Sequence, residues 1–260
     1  MLSKLFGFRK KESSILDYAP ENPAGYGDWS FIGTDMHSHL VPGIDDGAQT
    51  VEDSITLIRN LMAMGYRQII TTPHIKFDHY PNNRTTITGG LHILQNALKE
   101  AGIHIPIRAA AEYYIDDHFI QELEEVELLT VMDNQLLVEI SFMFEPVRFS
   151  EILFRIQTKG YKPILAHPER YMFYHGNMDA YRAIKDKGCY LQLNLLSLTG
   201  YYGKGVKIAA EQLLAEGLYD YCGTDMHHIR HAEGMQKMLQ SGVMPLLQRY
   251  PFLNNKLTVL

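Results

Sequence analysis

The sequence predicts an α/β fold in which seven parallel strands close into a barrel. Three observations lead there. From residue 30 onward, short apolar runs alternate with longer segments of helical periodicity, and that alternation builds right-handed βαβ units around a parallel sheet. No linker or shift in composition interrupts it, and 260 residues is an ordinary length for a single barrel domain. Six of the seven apolar runs end in histidine, aspartate or glutamate. The C-terminal ends of strands converge on one mouth in a closed barrel, whereas the outer strands of an open sheet end too far apart to share a site.

The first strand is expected over residues 31–36 and the first helix over 51–65, where Leu57, Ile58, Leu61 and Met62 keep helical spacing. Thr50 stands at the N-cap with Asp53 three residues on, and Gly65 stops the helix. Residues 68–72 read as strand and 85–101 as helix, closed by Gly102. The third pair is 105–111 and 118–129, and the fourth is 135–140 and 147–159, ended by Gly160. Strand 163–166 precedes helix 178–187 and Gly188; strand 190–195 precedes helix 204–215 and Gly217. The last pair is 218–223 and 231–247.

The barrel domain is thus expected over residues 30–260, with 1–29 as a flexible extension. In that extension Leu5, Phe6 and Phe8 lie beside Lys4, Arg9, Lys10 and Lys11, the makings of a small foot on an anionic membrane. So short an apolar face binds weakly, and a solvated tail is the expectation.

Composition narrows the function. A hydrophobic fraction of 46% with 21% charged residues excludes a disordered or fibrous chain. The formal charge of −6 disfavours a protein that binds nucleic acid by neutralising phosphates. Charge interrupts the apolar N-terminal residues before a leader could form, and no run reaches the ~18 apolar residues of a membrane span. A cytoplasmic protein is expected. Two cysteines, Cys189 and Cys222, are too few for a disulfide scaffold or a zinc knuckle, and both read as reduced, packed thiols. Against them stand twelve histidines, so any bound metal is held by nitrogen and oxygen.

The strand ends supply those ligands in order. The first runs into Asp35-Met-His37-Ser-His39 and the second ends at Thr72-Pro-His74. Glu112 ends the third, Glu139 the fourth and His167-Pro-Glu-Arg170 the fifth; the seventh runs into Asp225-Met-His227. On extended backbone, residues i and i+2 point the same way, so His37 and His39 can grip one ion, as can Asp225 and His227. Imidazole with carboxylate suits zinc, manganese or iron, and a carboxylate such as Glu112 can bridge two ions. Eight or more ligands over-supply one ion, which points to two or three.

Each residue alone has a plainer reading. A lone histidine at a strand end is more often a satisfied polar group, and Asp35 can orient a histidine from behind. The joint placement carries the argument. His79, His92, His104, His118 and His175 fall outside the register, where solvent-facing roles suffice, while His228 and His231 beside the last motif stay open. The loop 77–84 and the polar strand Gln192-Leu-Asn194 are expected to shape the pocket.

This constellation resembles the polymerase and histidinol phosphatase (PHP) family, and more closely its bacterial protein tyrosine phosphatases encoded with capsular and exopolysaccharide genes. The segments that carry the resemblance are Asp35-Met-His-Ser-His39, Ile44-Asp-Asp-Gly47, Thr72-Pro-His74, Glu112, Val138-Glu-Ile140, His167-Pro-Glu-Arg170 and Thr224-Asp-Met-His227. The resemblance implies a distorted, TIM-like (β/α)7 barrel with metals at the C-terminal strand ends. It implies one ion on His37, His39, Glu112 and Asp225, a second on Glu112, Glu139 and His167, and a third on Asp46, His74 and His227. Asp45 is the competitor to Asp46. Arg170 matches an arginine that binds the substrate phosphate, and Arg230 is the candidate for a second.

The implied reaction is hydrolysis of a phosphomonoester by in-line attack of a metal-bridging hydroxide, with manganese favoured by the resemblance over iron or zinc. The implied substrate is a phosphotyrosine protein, namely a tyrosine kinase of polysaccharide export. Neither cysteine is followed six residues on by arginine, so a cysteine-based phosphatase is excluded. The rival readings are a histidinol-phosphate or other small-metabolite phosphatase and, from another class, a noncatalytic docking partner of a polysaccharide-assembly kinase. A metal-dependent amidohydrolase ranks lower, because Glu139 stands where those enzymes commonly carry lysine.

Overall fold

The computed structural model describes residues 27–259. The segment of Leu5, Phe6 and Phe8, expected as a solvated tail rather than a membrane foot, lies outside them. Nine short strands form, all paired in parallel: β1 (Thr34–Asp35), β2 (Gln68–Thr71), β3 (His74–Ile75), β4 (Ile107–Ala109), β5 (Glu112–Tyr114), β6 (Gln135–Glu139), β7 (Lys162–Ala166), β8 (Tyr190–Asn194) and β9 (Tyr221–Gly223). They make a three-stranded sheet, β1-β2-β4, and a six-stranded one, β3-β5-β6-β7-β8-β9.

These are seven strand lines rather than nine. The second line breaks at Pro73, which has no N–H for the ladder, and resumes as β3. The third breaks at Ala110-Ala111 and resumes as β5. Ala110 N still donates to the Thr71 carbonyl and Glu112 N to that of Pro73, so the two lines stay side by side across both breaks. The ring closes between the last line and the first. Ser38 bridges Met226 in parallel, Asp225 N donates to the His37 carbonyl at 2.8 Å, and His39 N donates to that of Met226 at 2.9 Å.

Side chains divide by strand alternation. Ile70, Leu137 and Ile164 belong to the apolar cluster that also contains Met36, Ala110 and Leu257. Their neighbours Ile69, Leu136, Val138 and Leu165 belong to the larger cluster shared with the helices. The period of two thus fills the barrel and seats the helical layer together.

The helices are α1 (Val51–Ala63), α2 (Arg84–Glu100), α3 (Asp117–Glu125), α4 (Phe149–Thr158), α5 (Met178–Asp186), α6 (Lys204–Ala215), α7 (Ile229–Met238) and α8 (Met244–Arg249). Thr50 and Asp53 form the expected capping box on α1. None of these helices is long and apolar enough to cross a membrane.

Three expectations need correction. The start of the first strand is instead a 3-10 turn, Trp29–Phe31, capped by the Asp28 carboxylate accepting from Ser30 N. Trp29, which the expected boundary leaves in the extension, is fully buried. The final helix is two helices: the first ends at Met238, Ser241-Gly242 lies in the break, and Pro245, which cannot continue a helix, stands in the first turn of the second.

Candidate metal centre and active site

The strand ends bring nine side chains to one mouth. His37 Nε2, His39 Nε2, Glu112 Oε2 and Asp225 Oδ1 form a compact set. His37 Nε2 lies 3.4 Å from His39 Nε2, 3.2 Å from Glu112 Oε2 and 3.4 Å from Asp225 Oδ1. His39 Nε2 is 3.4 Å from each carboxylate oxygen. Four ligands around an ion at ~2.0–2.1 Å stand about 3.3–3.4 Å apart at the corners of a tetrahedron. The measured edges match that figure.

His167 Nε2 lies 3.1 Å from Glu112 Oε1 and 3.6 Å from Glu139 Oε1. Asp46 Oδ1 lies 3.6 Å from His74 Nε2 and 3.5 Å from His227 Nε2. His39, Asp46, His74 and His227 can offer ligand atoms within 4.8 Å of one another, and so can His74, Glu112 and Glu139. Asp225 and His227, which the i, i+2 spacing allows on one ion and the resemblance assigns to two, fall into different groups; Asp225 takes a left-handed backbone (φ 51°) that breaks the extended register. His167 is left-handed too (φ 33°). Strain of this kind gathers at functional sites.

Buried groups behind the cluster aim it. Gln192 Oε1 sits 2.8 Å from His37 Nδ1, and Asp45 Oδ2 sits 2.8 Å from His39 Nδ1, leaving each Nε2 forward. Asp45 also accepts from Gly47 N and His74 N, so it orients from behind while Asp46 faces the donors. A Cβ on Gly47 would fall 2.2 Å from the His39 carbonyl oxygen, and one on Gly223 2.6 Å from His37 Cβ; only glycine admits both approaches.

Asp35 orients no histidine. Its carboxylate accepts from Thr224 N and Oγ1, at 3.0 and 2.9 Å, and ties the last strand line to the first. Gln192 and Asn194, expected on the pocket wall, stand behind His37 and Asp225 instead. The reading of loop 77–84 was nearer, since His79 and Tyr80 do line the cavity, which encloses about 360 Å³.

The electrostatics are those of a site built for cations. Burial works against the His37 cation, yet the Glu112 and Asp225 carboxylates push its pKa up to about 9. Burial raises Glu139 well above the usual carboxylate range, and the Glu112 charge adds to it. His167 is held down to about 4 by burial and by Arg170. Glu112 Oε2, His74 Nδ1 and His167 Nδ1 are buried without a hydrogen bond. Such atoms are costly unless something binds them. Imidazole and carboxylate without thiolate fit a hard or borderline divalent ion.

Arg170 reaches the same cavity. Its Nη1 donates to Asp225 Oδ2 at 2.9 Å, and its guanidinium carbon lies 4.6 Å over the Phe142 ring and 4.5 Å over that of Tyr202. Asn194 Nδ2 completes the frame, donating to Asp225 Oδ2 and to the Tyr202 hydroxyl. Arg230 does not join it: exposed in the first turn of α7, it lines a separate cavity. His231, left open by the sequence, is a support: its Nδ1 accepts from His227 N at 3.2 Å and lies 3.0 Å from the Asp225 carbonyl oxygen. Six residues past Asp225 and across a non-helical stretch before α7, its position gave no signal of that contact.

Comparison with known proteins agrees with this geometry. A family model described as "Capsular polysaccharide synthesis, CpsB/CapC" matches residues 33–244. Tyrosine-protein phosphatase YwqE of Bacillus subtilis (strain 168) is 30% identical over 197 residues, covering 75% of this chain and 78% of that protein. Tyrosine-protein phosphatase CpsB of Streptococcus pneumoniae is 29% identical over 201 residues, covering 75% and 83%. A crystal structure from a study of YwqE and CpsB, described there as unique metal-dependent tyrosine phosphatases, superposes with a TM-score of 0.72 at 27% identity, covering 87% of this chain and 96% of that one.

Proposed function

The chain belongs to the capsular polysaccharide synthesis family CpsB/CapC, and on that premise we propose that it is a metal-dependent protein tyrosine phosphatase of capsule or exopolysaccharide assembly. Its proposed substrate is a phosphotyrosine on a tyrosine kinase of polysaccharide export, met in the cytoplasm. The barrel, residues 30–260 with Trp29 added, is proposed to act as one domain.

One observation carries the catalytic reading. Glu112 Oε2 is buried, makes no hydrogen bond, and faces His37 Nε2, His39 Nε2 and His74 Nδ1 at 3.1–3.4 Å. We assign two or three divalent ions to the ligand groups named above, with Asp46 rather than Asp45 in the third and manganese favoured over iron or zinc. When bound, such ions supply Lewis acidity towards phosphoryl oxygens and lower the pKa of a water from 15.7 to about 7.

The chain's own residues do the positioning. Arg170 is committed at one nitrogen to Asp225, so its planar fork is set before substrate arrives and the other N–H groups are free for equatorial phosphoryl oxygens. Phe142 and Tyr202 pack against the guanidinium and fix its plane while its side chain stays part-exposed to the cavity. Gln192 and Asp45 hold the tautomers of His37 and His39 that present Nε2. The leaving phenolate, with a pKa near ~10, needs little help from a proton donor.

Metal analysis and phosphate release test this together. At least one ion per chain and faster release from phosphotyrosine peptides than from histidinol phosphate are expected. Less than one ion per chain removes the multinuclear site; a preference for histidinol phosphate overturns the tyrosine assignment.

A further inference from the structure

Arg230 and Lys237 lie seven residues apart on α7, two turns along one face. Neither forms an ion pair among the described residues, whereas Arg84, Arg155, Arg182 and Lys185 each do. Both line a second cavity, of about 620 Å³, beside the 3-10 turn Leu195–Thr199. Buried Leu198, Met238 and Val243 give it an apolar floor, and among the described residues Glu233 is the only acidic one on its lining.

The second cavity adjoins the catalytic one. Tyr202 and His231 line the catalytic cavity, while Tyr201 lines the second. The rings of Tyr201 and Tyr202 meet edge-on at 5.0 Å, and Tyr201 meets His231 at 5.1 Å. The two cavities therefore share a wall of three rings. An extended peptide advances ~3.3 Å per residue, so a few residues carry it from one side of such a wall to the other.

We propose that the second cavity is a docking subsite for the polypeptide carrying the phosphotyrosine, and that it takes a flanking segment bearing apolar residues and carboxylates. The inference rests on the phosphotyrosine reading above. Charge complementarity selects the occupant: the whole chain carries −6 and repels acidic peptides, whereas this cavity sets two cations without an ion pair beside an apolar floor and next to the catalytic cavity, where an acidic, apolar flank is attracted.

The test compares wild type, Lys237→Glu and the double variant Arg230→Glu/Lys237→Glu on three substrates: p-nitrophenyl phosphate, a phosphotyrosine peptide with an acidic, apolar flank, and the same peptide with a Gly-Ser flank. Wild type should prefer the acidic peptide through a lower KM. The double variant should lose roughly three- to tenfold in kcat/KM on that peptide alone, the scale of exposed charge pairs, with Lys237→Glu falling between. Unchanged p-nitrophenyl phosphate turnover shows that the variants are folded and the chemistry intact. Equal kcat/KM for the two peptides in wild type, or an equal loss on all three substrates, overturns the subsite. Fluorescence anisotropy of the acidic peptide without phosphate separates the two claims. Binding to wild type but not to the double variant upholds the subsite even if no aryl phosphate is hydrolysed, an outcome that would sink only the phosphatase reading.

Discussion

The two ends of the barrel both bury polar groups, and they treat them in opposite ways. At the end opposite the mouth, the fully buried Asn254 receives Cys222 N at 3.0 Å and donates to the carbonyls of Cys222 and Thr34 at 2.7 and 3.1 Å. Thr34 Oγ1 donates to the Leu257 carbonyl, and Val259 N to Gln68 Oε1. The C-terminal segment thus plugs that end with both side-chain polar atoms of Asn254 satisfied. At the mouth, Glu112 Oε2, His74 Nδ1 and His167 Nδ1 are buried with no hydrogen bond among the described residues, even though Glu112 Oε1 keeps one with His167 Nε2. A satisfied buried polar group holds a fold together; an orphaned cluster of ligand type waits for a cation.

The sharpest way to break the contrast is Glu112→Gln. It removes the charge shared by the ligand groups, so metal content should collapse and turnover fall by roughly a thousandfold or more. The thermal midpoint of the metal-free protein should fall modestly, because the Glu112 carboxylate, which despite burial is held well below its usual range by His37 and His74, loses its charge, and relief of Glu139 offsets only part of that loss. A variant that keeps its metal would refute the bridging role. Next comes Arg170→Lys, which keeps the charge but loses the planar fork. A drop of about a hundredfold in kcat/KM with full metal content is expected; unchanged kinetics would remove Arg170 from phosphate binding.

Asn254→Ala addresses the other end. It strips partners from three buried backbone groups, and a loss of about 3 kcal/mol is expected in denaturant melts. The kcat/KM should stay within about twofold, and a large kinetic effect would show that the plug is coupled to the mouth. Chelation should cost somewhat less, about 2.7 kcal/mol for an ion at a hundred times its Kd, seen as a midpoint lowered by roughly 5–10 °C. A midpoint indifferent to chelator would mean that the mouth is self-sufficient. The smallest effect is expected for Tyr202→Leu, which removes one ring under Arg170. A few-fold rise in KM matches a single cation–π contact of about 1 kcal/mol, and no change would show that Phe142 suffices.

How far the site was legible depended on whether a residue acts through its place in the strand or through a distant partner. His37, His39, His74, Glu112, Glu139, His167, Asp225 and His227 were legible because each follows an apolar run, and convergence at the mouth is a property of any parallel barrel. Asp35 and Gln192 were misjudged because their partners, Thr224 and His37, lie 189 and 155 residues away. Arg230 looked close to His227 along the chain, yet the start of α7 turns it to another cavity.

By itself, the sequence determined the alternation of strands and helices, the capping box at Thr50 and Asp53, and the register of ligands at the strand ends. All three follow from local periodicity and local hydrogen bonding. Only the tertiary structure decided how the ring closes through Ser38 and Met226, which of Asp45 and Asp46 faces the donors, and what flanks Arg170. Those depend on atoms far apart in the chain being packed within a few ångströms, and no periodicity encodes that distance.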